Sequence, residues 1–293
     1  GGTPHQVCCL EVKMLGLSTS RTWAALVPAT ATICTTAWLV SRTSRPSSVA
    51  LRSWLRGWWW LRQRWLRSWM IERDIFDVAS VRLIGGTDIS FIKGSETDAC
   101  AALTVIDADS LEVVYSVCRR VVLTAPYIPG YLAFREVAFL VTLLDELRAS
   151  VPHLLPDVVL VDGNGFLHPN RFGLACHLGV LTAIPTIGVG KSLHHLDGLS
   201  KERVRTLCEQ CKSRGEHAVL VGDSGTVWGA LLRTTEPVVG AFKPVIVSVG
   251  HGVTLTSALA VVRRCTRHRI PEPVRQADLR SREWLRAHGA AES

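Results

Sequence analysis

The sequence predicts an α/β protein with one mixed sheet flanked by helices, and three observations carry that prediction. Three strand-like runs, 82–91, 99–107 and 111–123, follow one another across short polar gaps, as in an antiparallel meander. Downstream, helical stretches alternate with short apolar runs, the order of a sheet with parallel strands. Between the two parts lies 157–161, where Val158, Val159, Leu160 and Val161 show no alternation, so both faces of that strand are buried.

The elements follow in order. After the three strands, the loop Pro126-Tyr127-Ile128-Pro129-Gly130 leads into a helical run over 132–150. The central strand 157–161 precedes a helix around 172–181 and a short strand at 185–188. A charged amphipathic stretch, 200–214, reads as a helix, and 219–221, 227–232 and 244–249 read as strands. Two helices, 255–267 and 273–288, close the pattern. Three antiparallel strands, a helix, then parallel strands alternating with helices is the order of a ribonuclease-H-like fold.

The first seventy residues have another character. They hold nine Lys or Arg against one acid, Glu11, and eight of the ten tryptophans; the rest of the chain holds 24 charges of each sign. The overall charge of +8 therefore belongs to this segment alone. Residues 22–41 carry no charge, but five threonines and Pro28 make them a poor membrane span. In 51–70 the triplet Trp-Leu-Arg recurs. Wound as a helix, it sets Arg52, Arg56, Arg64 and Arg67 on one side and Leu51, Trp54, Trp58, Leu61, Trp65 and Trp69 on the other. Such a helix suits a membrane surface, and Arg with Trp also suits single-stranded nucleic acid. With so biased a composition, the expectation is an atypical extension over 1–70, disordered or not selected as protein, before a catalytic domain over 71–289.

Nine scattered cysteines do not form a secreted disulfide framework. Cys208 and Cys211 make a C-x-x-C pair, but no second pair stands at zinc-finger distance, so they read as ordinary helical cysteines. Reduced thiols fit a cytoplasmic or nuclear protein, nucleolus included.

Chemistry is carried by carboxylates. Asp88 lies inside the first strand among small and apolar neighbours, where an unpartnered charge is costly. Asp162 closes the central strand, and Gly163 and Gly165 after it let the backbone approach a ligand. If the first and fourth strands are neighbours, Asp88 and Asp162 sit side by side. Glu136 follows Arg135 in the first helix. Such a cluster suits a hard divalent cation and an in-line phosphodiester displacement.

GGTDISF, PYIPGYLAFRE, VDGNGFLHPNRFGLACHLG, IGVGKS and SVGH stand in the order and spacing of the endonuclease V family, and IPEPVRQADLRSRE resembles its vertebrate members. The resemblance covers about residues 83–283. It implies a ribonuclease-H-like nuclease that uses Mg²⁺ or Mn²⁺ to cut the second phosphodiester 3′ to an inosine, leaving 3′-hydroxyl and 5′-phosphate ends. It further implies that Asp88, Glu136 and Asp162 bind metal, that His251 lies near the attacking water and that Lys191 lies near the scissile phosphate. Tyr127, with Ile128, Pro129 and Gly130, matches the wedge that fills the gap left by the displaced base. Gly163, Gly165 and Arg171 are expected on the substrate, Arg171 at a phosphate.

A tyrosine between two prolines is held stiffly, as a wedge needs. Hypoxanthine lacks guanine's exocyclic amine, so a tight backbone-lined pocket selects it by excluding that amine. His168 and His177 read as structural, and His194 and His195 carry no usable motif. Inosine-containing single-stranded RNA or DNA is the expected partner, with RNA favoured by resemblance to vertebrate members, no membrane partner and a monomeric state. The competing readings are a nucleic-acid-binding protein of this fold without catalysis and a structure-selective nuclease of the same fold.

Overall fold

The computed structural model describes residues 48–193, 195–236 and 243–288. The uncharged run 22–41 and His194 lie outside them. The chain divides into two compact units, 1–58 and 59–293. One helix, α1 (Ser48–Arg67), crosses that boundary.

The second unit is built on an eight-stranded mixed sheet in the order β3-β2-β1-β4-β5-β8-β7-β6. Strands β1 (Leu83–Phe91), β2 (Asp98–Asp107) and β3 (Val113–Val122) form the expected antiparallel meander. Helix α2 (Ala133–Ser150) then returns the chain to β4 (Val158–Asp162), which pairs parallel with β1. Asp157 pins the start of that pairing, since its Oδ2 accepts from the backbone N–H groups of Arg82 and Leu83 at 2.8 and 3.0 Å. After α3 (Leu174–Thr182), β5 (Thr186–Gly190) adds a second parallel neighbour to β4. Past α4 (Lys201–Gln210), however, β6 (His217–Val221), β7 (Val227–Leu232) and β8 (Val245–His251) are all antiparallel to their neighbours. The expected run of parallel strands thus stops at β5, because β6 and β7 are joined by a tight turn and β8 enters against β5. Helices α5 (Leu255–Arg264) and α6 (Glu272–His288) follow.

Strand alternation splits the core in two. Val158, Leu160, Ile187, Val189, Val245 and Val247 face one side, where Ala258, Leu259, Val262 and Val274 of α5 and α6 cover them. Val159 and Val161 face the other, against Leu140, Leu144 and Leu147 of α2 and Leu174 and Leu178 of α3. Burial of each large side chain contributes about 1.5–3 kcal/mol, so the central strands anchor whatever stands at their ends.

From Trp59 onward α1 belongs to this unit, which corrects the expected boundary at residue 71. Trp59 stacks on Phe134 (centroids 5.2 Å apart, 7° between planes), and Leu66 packs with Phe172 and Cys176. Gln63 is buried between them, donating to the Phe172 carbonyl at 2.7 Å and accepting from Asn170 at 2.7 Å. The buried face is therefore Trp59, Gln63 and Leu66, while Trp54, Trp60, Leu61, Trp65 and Trp69 are exposed. Among the described residues, no helix is long and apolar enough to cross a membrane.

Candidate active site

Parallel pairing delivers the first two acids together. Gly86 stands beside Leu160 and Thr87 beside Val161, so continuing the register sets Asp88 next to Asp162. Asp88 shares the face of Ile84, and Asp162 that of Val158 and Leu160, beneath α5 and α6. Burial, followed by the hydrogen bond and charge of Asp162, pushes the Asp88 carboxyl up to about 6. Its Oδ2 accepts from Ser90 Oγ at 2.9 Å and from Ser281 Oγ of α6 at 3.1 Å.

Lys191 follows β5, the next strand across. Its Nζ donates to Asp162 Oδ2 at 2.5 Å and lies 3.9 Å from Asp278 Oδ1 on α6. Burial alone would lower this ammonium's pKa, but the hydrogen bond and charge of Asp162, with Asp278 and Asp88 behind, outweigh it and raise it. Glu136 reaches the cluster from the opposite side, in the first turn of α2, and is 7% exposed. Burial pushes its carboxyl up to about 7; Arg135 opposes the shift, and the charges of Asp88 and Asp162 reinforce it.

Asp88 and Glu136 are thus held towards their neutral forms by burial and by neighbouring charge, that of Asp162 on Asp88 and those of Asp88 and Asp162 on Glu136. A cation among them relieves both effects, so the donor chemistry fits a hard divalent ion. Among the described residues, no group of three or more His, Cys, Asp or Glu side chains is gathered as a ready cage. A Mg²⁺ ion asks for less, taking one or two carboxylates and filling its remaining positions with water and phosphate oxygens, and the Asp88–Asp162 pair meets that demand.

Two loops frame the acids. In 126–130, Ile128 and Tyr131 are buried, the Tyr131 N–H donates to the Ile128 carbonyl at 3.0 Å, and Gly130 turns the chain at φ 83°. Tyr127 projects from this anchored turn, 57% exposed. In the loop after β4, Gly165 lies flat against β8: a Cβ there would stand 2.0 Å from the Val249 carbonyl oxygen. Its N–H donates to Ser248 Oγ at 2.9 Å, and Asn164 leaves its buried Oδ1 without a partner beside Gly190.

The family model for endonuclease V matches residues 65–279. Human endonuclease V is 46% identical over 239 residues, covering 78% of this chain and 82% of the relative. The chain belongs to the endonuclease V family. It is a nuclease acting on nucleic acids. The crystal structure of human endonuclease V superposes with a TM-score of 0.76 at 44% identity, covering 80% of this chain and 99% of that one. The Ciona intestinalis endonuclease V, solved with a 24-mer DNA containing an inosine followed by a ribo-adenosine, gives 0.74 at 36% identity, covering 80% and 98%.

Of the residues expected from endonuclease V motifs, Asp88, Glu136, Asp162 and Lys191 converge, and His251 does not. His251 pairs with Thr186 at the start of β5, whereas Asp162 pairs with Val189 near its end, roughly 10 Å along the strand. The His251 ring is buried, and its Nδ1 accepts from the Ile71 N–H at 3.3 Å. Burial lowers its pKa below the ordinary imidazole value. The antiparallel entry of β8 sets it apart, since it carries the strand's C-terminal end away from the acids. Arg171 is likewise elsewhere: its guanidinium lies over Trp228 at 5.3 Å and donates to Thr226 Oγ1 at 3.2 Å, on β7 and the turn before it. Asp278 was missed. In sequence it is one acid on a charged amphipathic helix, and only the packing of Ala277 and Ser281 shows which side it borders.

His168 and His177 are buried within the unit. His177 sits 5.0 Å from the Phe134 ring and 5.5 Å from Phe172, and burial, with the charge of Arg62, drives its pKa down to about 3.

Proposed function

We propose that this protein is a metal-dependent endonuclease that cuts the second phosphodiester 3′ to an inosine in single-stranded RNA, or to deoxyinosine in DNA. The products carry 3′-hydroxyl and 5′-phosphate ends. The observation that carries the reading is Asp88 beside Asp162 at the β1–β4 junction, with Lys191 bonded to Asp162. Asp88 and Asp162, with Glu136 and Asp278 alongside, would hold Mg²⁺ or Mn²⁺, which would supply charge neutralisation at the phosphate and a lowered pKa for the attacking water.

The chain's own groups do the rest. Glu136, buried in the first turn of α2, would complete the carboxylate set around the ion. Lys191 presents a fixed cation to a phosphate oxygen arriving at Asp162. Tyr127, stiffened by Pro126 and anchored through Ile128, fills the space a displaced base leaves, offsetting part of the few kcal/mol that unstacking costs. Gly163 and Gly165 bring backbone to the purine edge, where guanine's extra amine would clash. Preference for RNA rests on resemblance to vertebrate members, and selection of inosine is supported by the Ciona complex. Such an enzyme works as a monomer in the cytoplasm and nucleus.

The test is cleavage of end-labelled single-stranded RNA carrying one inosine in Mg²⁺, against the same strand with guanosine. A single cut one nucleotide beyond the inosine is expected, absent with guanosine and reduced at least ~100-fold in Asp88→Ala and Asp278→Asn. Equal cutting of the guanosine strand would sink the inosine reading; undiminished cutting by Asp88→Ala would sink the site.

A further inference from the structure

The exposed side of α1 and the turn after it have no part in the chemistry above, yet they carry a cluster of exposed tryptophan and arginine side chains. Trp60 is 42% exposed, Trp65 46% and Trp69 49%, with Leu61 and Arg64 exposed among them. Arg64 lies 4.9 Å over the Trp60 ring and Arg62 5.8 Å over the Trp65 ring, while Trp65 and Trp69 meet edge to face at 6.1 Å. No acid lies in the sequence between Glu11 and Glu72, so the stretch carries only positive side chains.

Position says what such a surface is for. The buried side of α1 is fastened to both loops that frame the acids. Trp59 packs on Phe134 and on Tyr131, which follows the Tyr127 turn. Gln63 bonds Phe172 and Asn170, in the loop that begins at Gly163. The helix that carries the tryptophans is therefore fastened to the loops that frame the site.

Two occupants suit Trp and Arg, and the arrangement separates them. A helix lying on a membrane needs an apolar face segregated from its cations. Here Trp59 and Leu66 are spent on the protein core, and on the outer face the cations sit over the rings, Arg64 on Trp60 and Arg62 on Trp65, rather than apart from them. Interleaved rings and guanidiniums are what a flexible polyanion with planar bases requires, because rings stack on bases while cations meet phosphates.

We infer that Trp60, Trp65, Trp69 and Arg64 form a platform on which single-stranded nucleic acid flanking the cleavage site stacks. This extends the substrate reading above, and the test separates the two. Two labelled strands without inosine are bound to the full-length chain by fluorescence anisotropy, one about a dozen nucleotides long, within the range of single-strand platforms, the other trimmed to a few. The same measurements are made on the Trp60→Ala/Trp65→Ala/Trp69→Ala variant, on its Tyr counterpart and on Arg64→Ala. The Ala variant is expected to bind the long strand about 10- to 100-fold more weakly, with the short strand unchanged and the Tyr variant retaining most affinity. Arg64→Ala should reduce the salt slope by about 0.7.

Equal loss on both strands, or no loss, overturns the platform. So does tighter capture of the chain by vesicles of anionic phospholipid than by the long strand. If the intact chain binds the long strand as described but leaves inosine RNA uncut, the platform stands and the enzymatic reading falls. Cutting with no length-dependent loss in the Ala variant has the opposite meaning.

Discussion

Asp88 and Glu136 carry the sharpest prediction about single residues. Their carboxyls sit at about 6 and about 7 in the fold, above the ordinary values of 3.8 and 4.5. Between roughly pH 4 and 7 the native protein therefore binds more protons than the unfolded chain, and stability falls as pH rises through that window. Above it the acids are ionised and the full penalty is present, on the order of 3 kcal/mol for each shift and less for the coupled pair. Asp88→Asn is expected to raise the melting temperature at pH 8 without divalent ions and to change it little near pH 4. Added Mg²⁺ should raise the wild-type value at pH 8 and leave that of the variant nearly unmoved. Thermal melts at the two pH values decide it; a variant that melts lower than wild type at pH 8 would show that the acid is not penalised. Asp88 was legible in the sequence because a charge in a strand of small and apolar residues demands a partner. Asp278 was not, because an acid on an amphipathic helix passes for a solvated one until the packing shows which face it borders.

At the scale of elements, the seating of α6 on β1 decides whether the site assembles. Gly86 makes that approach: a Cβ there would stand 2.1 Å from the Pro273 carbonyl carbon, a backbone atom with no room to yield. Thr104 of β2 strengthens the contact by donating to the Pro273 carbonyl at 2.8 Å. Gly86→Ala is expected to lift α6, destabilise the protein by about 1–3 kcal/mol and part Ser281 from Asp88, lowering cleavage with it. Urea unfolding and initial rates measure the two effects, and an unchanged midpoint with full activity would show that α6 does not depend on this glycine. Every strand was legible as an apolar run. Strand direction was not, since Val245–Val249 reads alike whichever way it enters; His251 was expected near the metal from its motif alone, and the antiparallel entry of β8 sets it beside Thr186 instead.

For the molecule as a whole, the front of the catalytic unit lies within the segment whose composition argues against folding. Trp and Arg bias hides the 3.6-residue pattern of Trp59, Gln63 and Leu66, because tryptophans stand on the exposed faces as well. Deletion through Met70 removes the cover of Phe172 and the ring stacked on Phe134. Two large buried side chains are lost with it, at about 1.5–3 kcal/mol each. A chain starting at Ile71 is expected to be less stable to urea than the intact 293-residue chain by roughly 3–6 kcal/mol. An equal midpoint would return residues 59–70 to the status of an appendage.

Helix α6 brings Ser281 to Asp88 and Asp278 to Lys191, so the last element described completes a cluster begun on the first strand. During synthesis every other part of the cluster leaves the ribosome first. A nascent chain whose α6 is still in the exit tunnel holds an unfinished centre, and so does the product of any transcript ending before Glu272. A nuclease ordered in this way is unarmed until α6 has emerged and settled on β1.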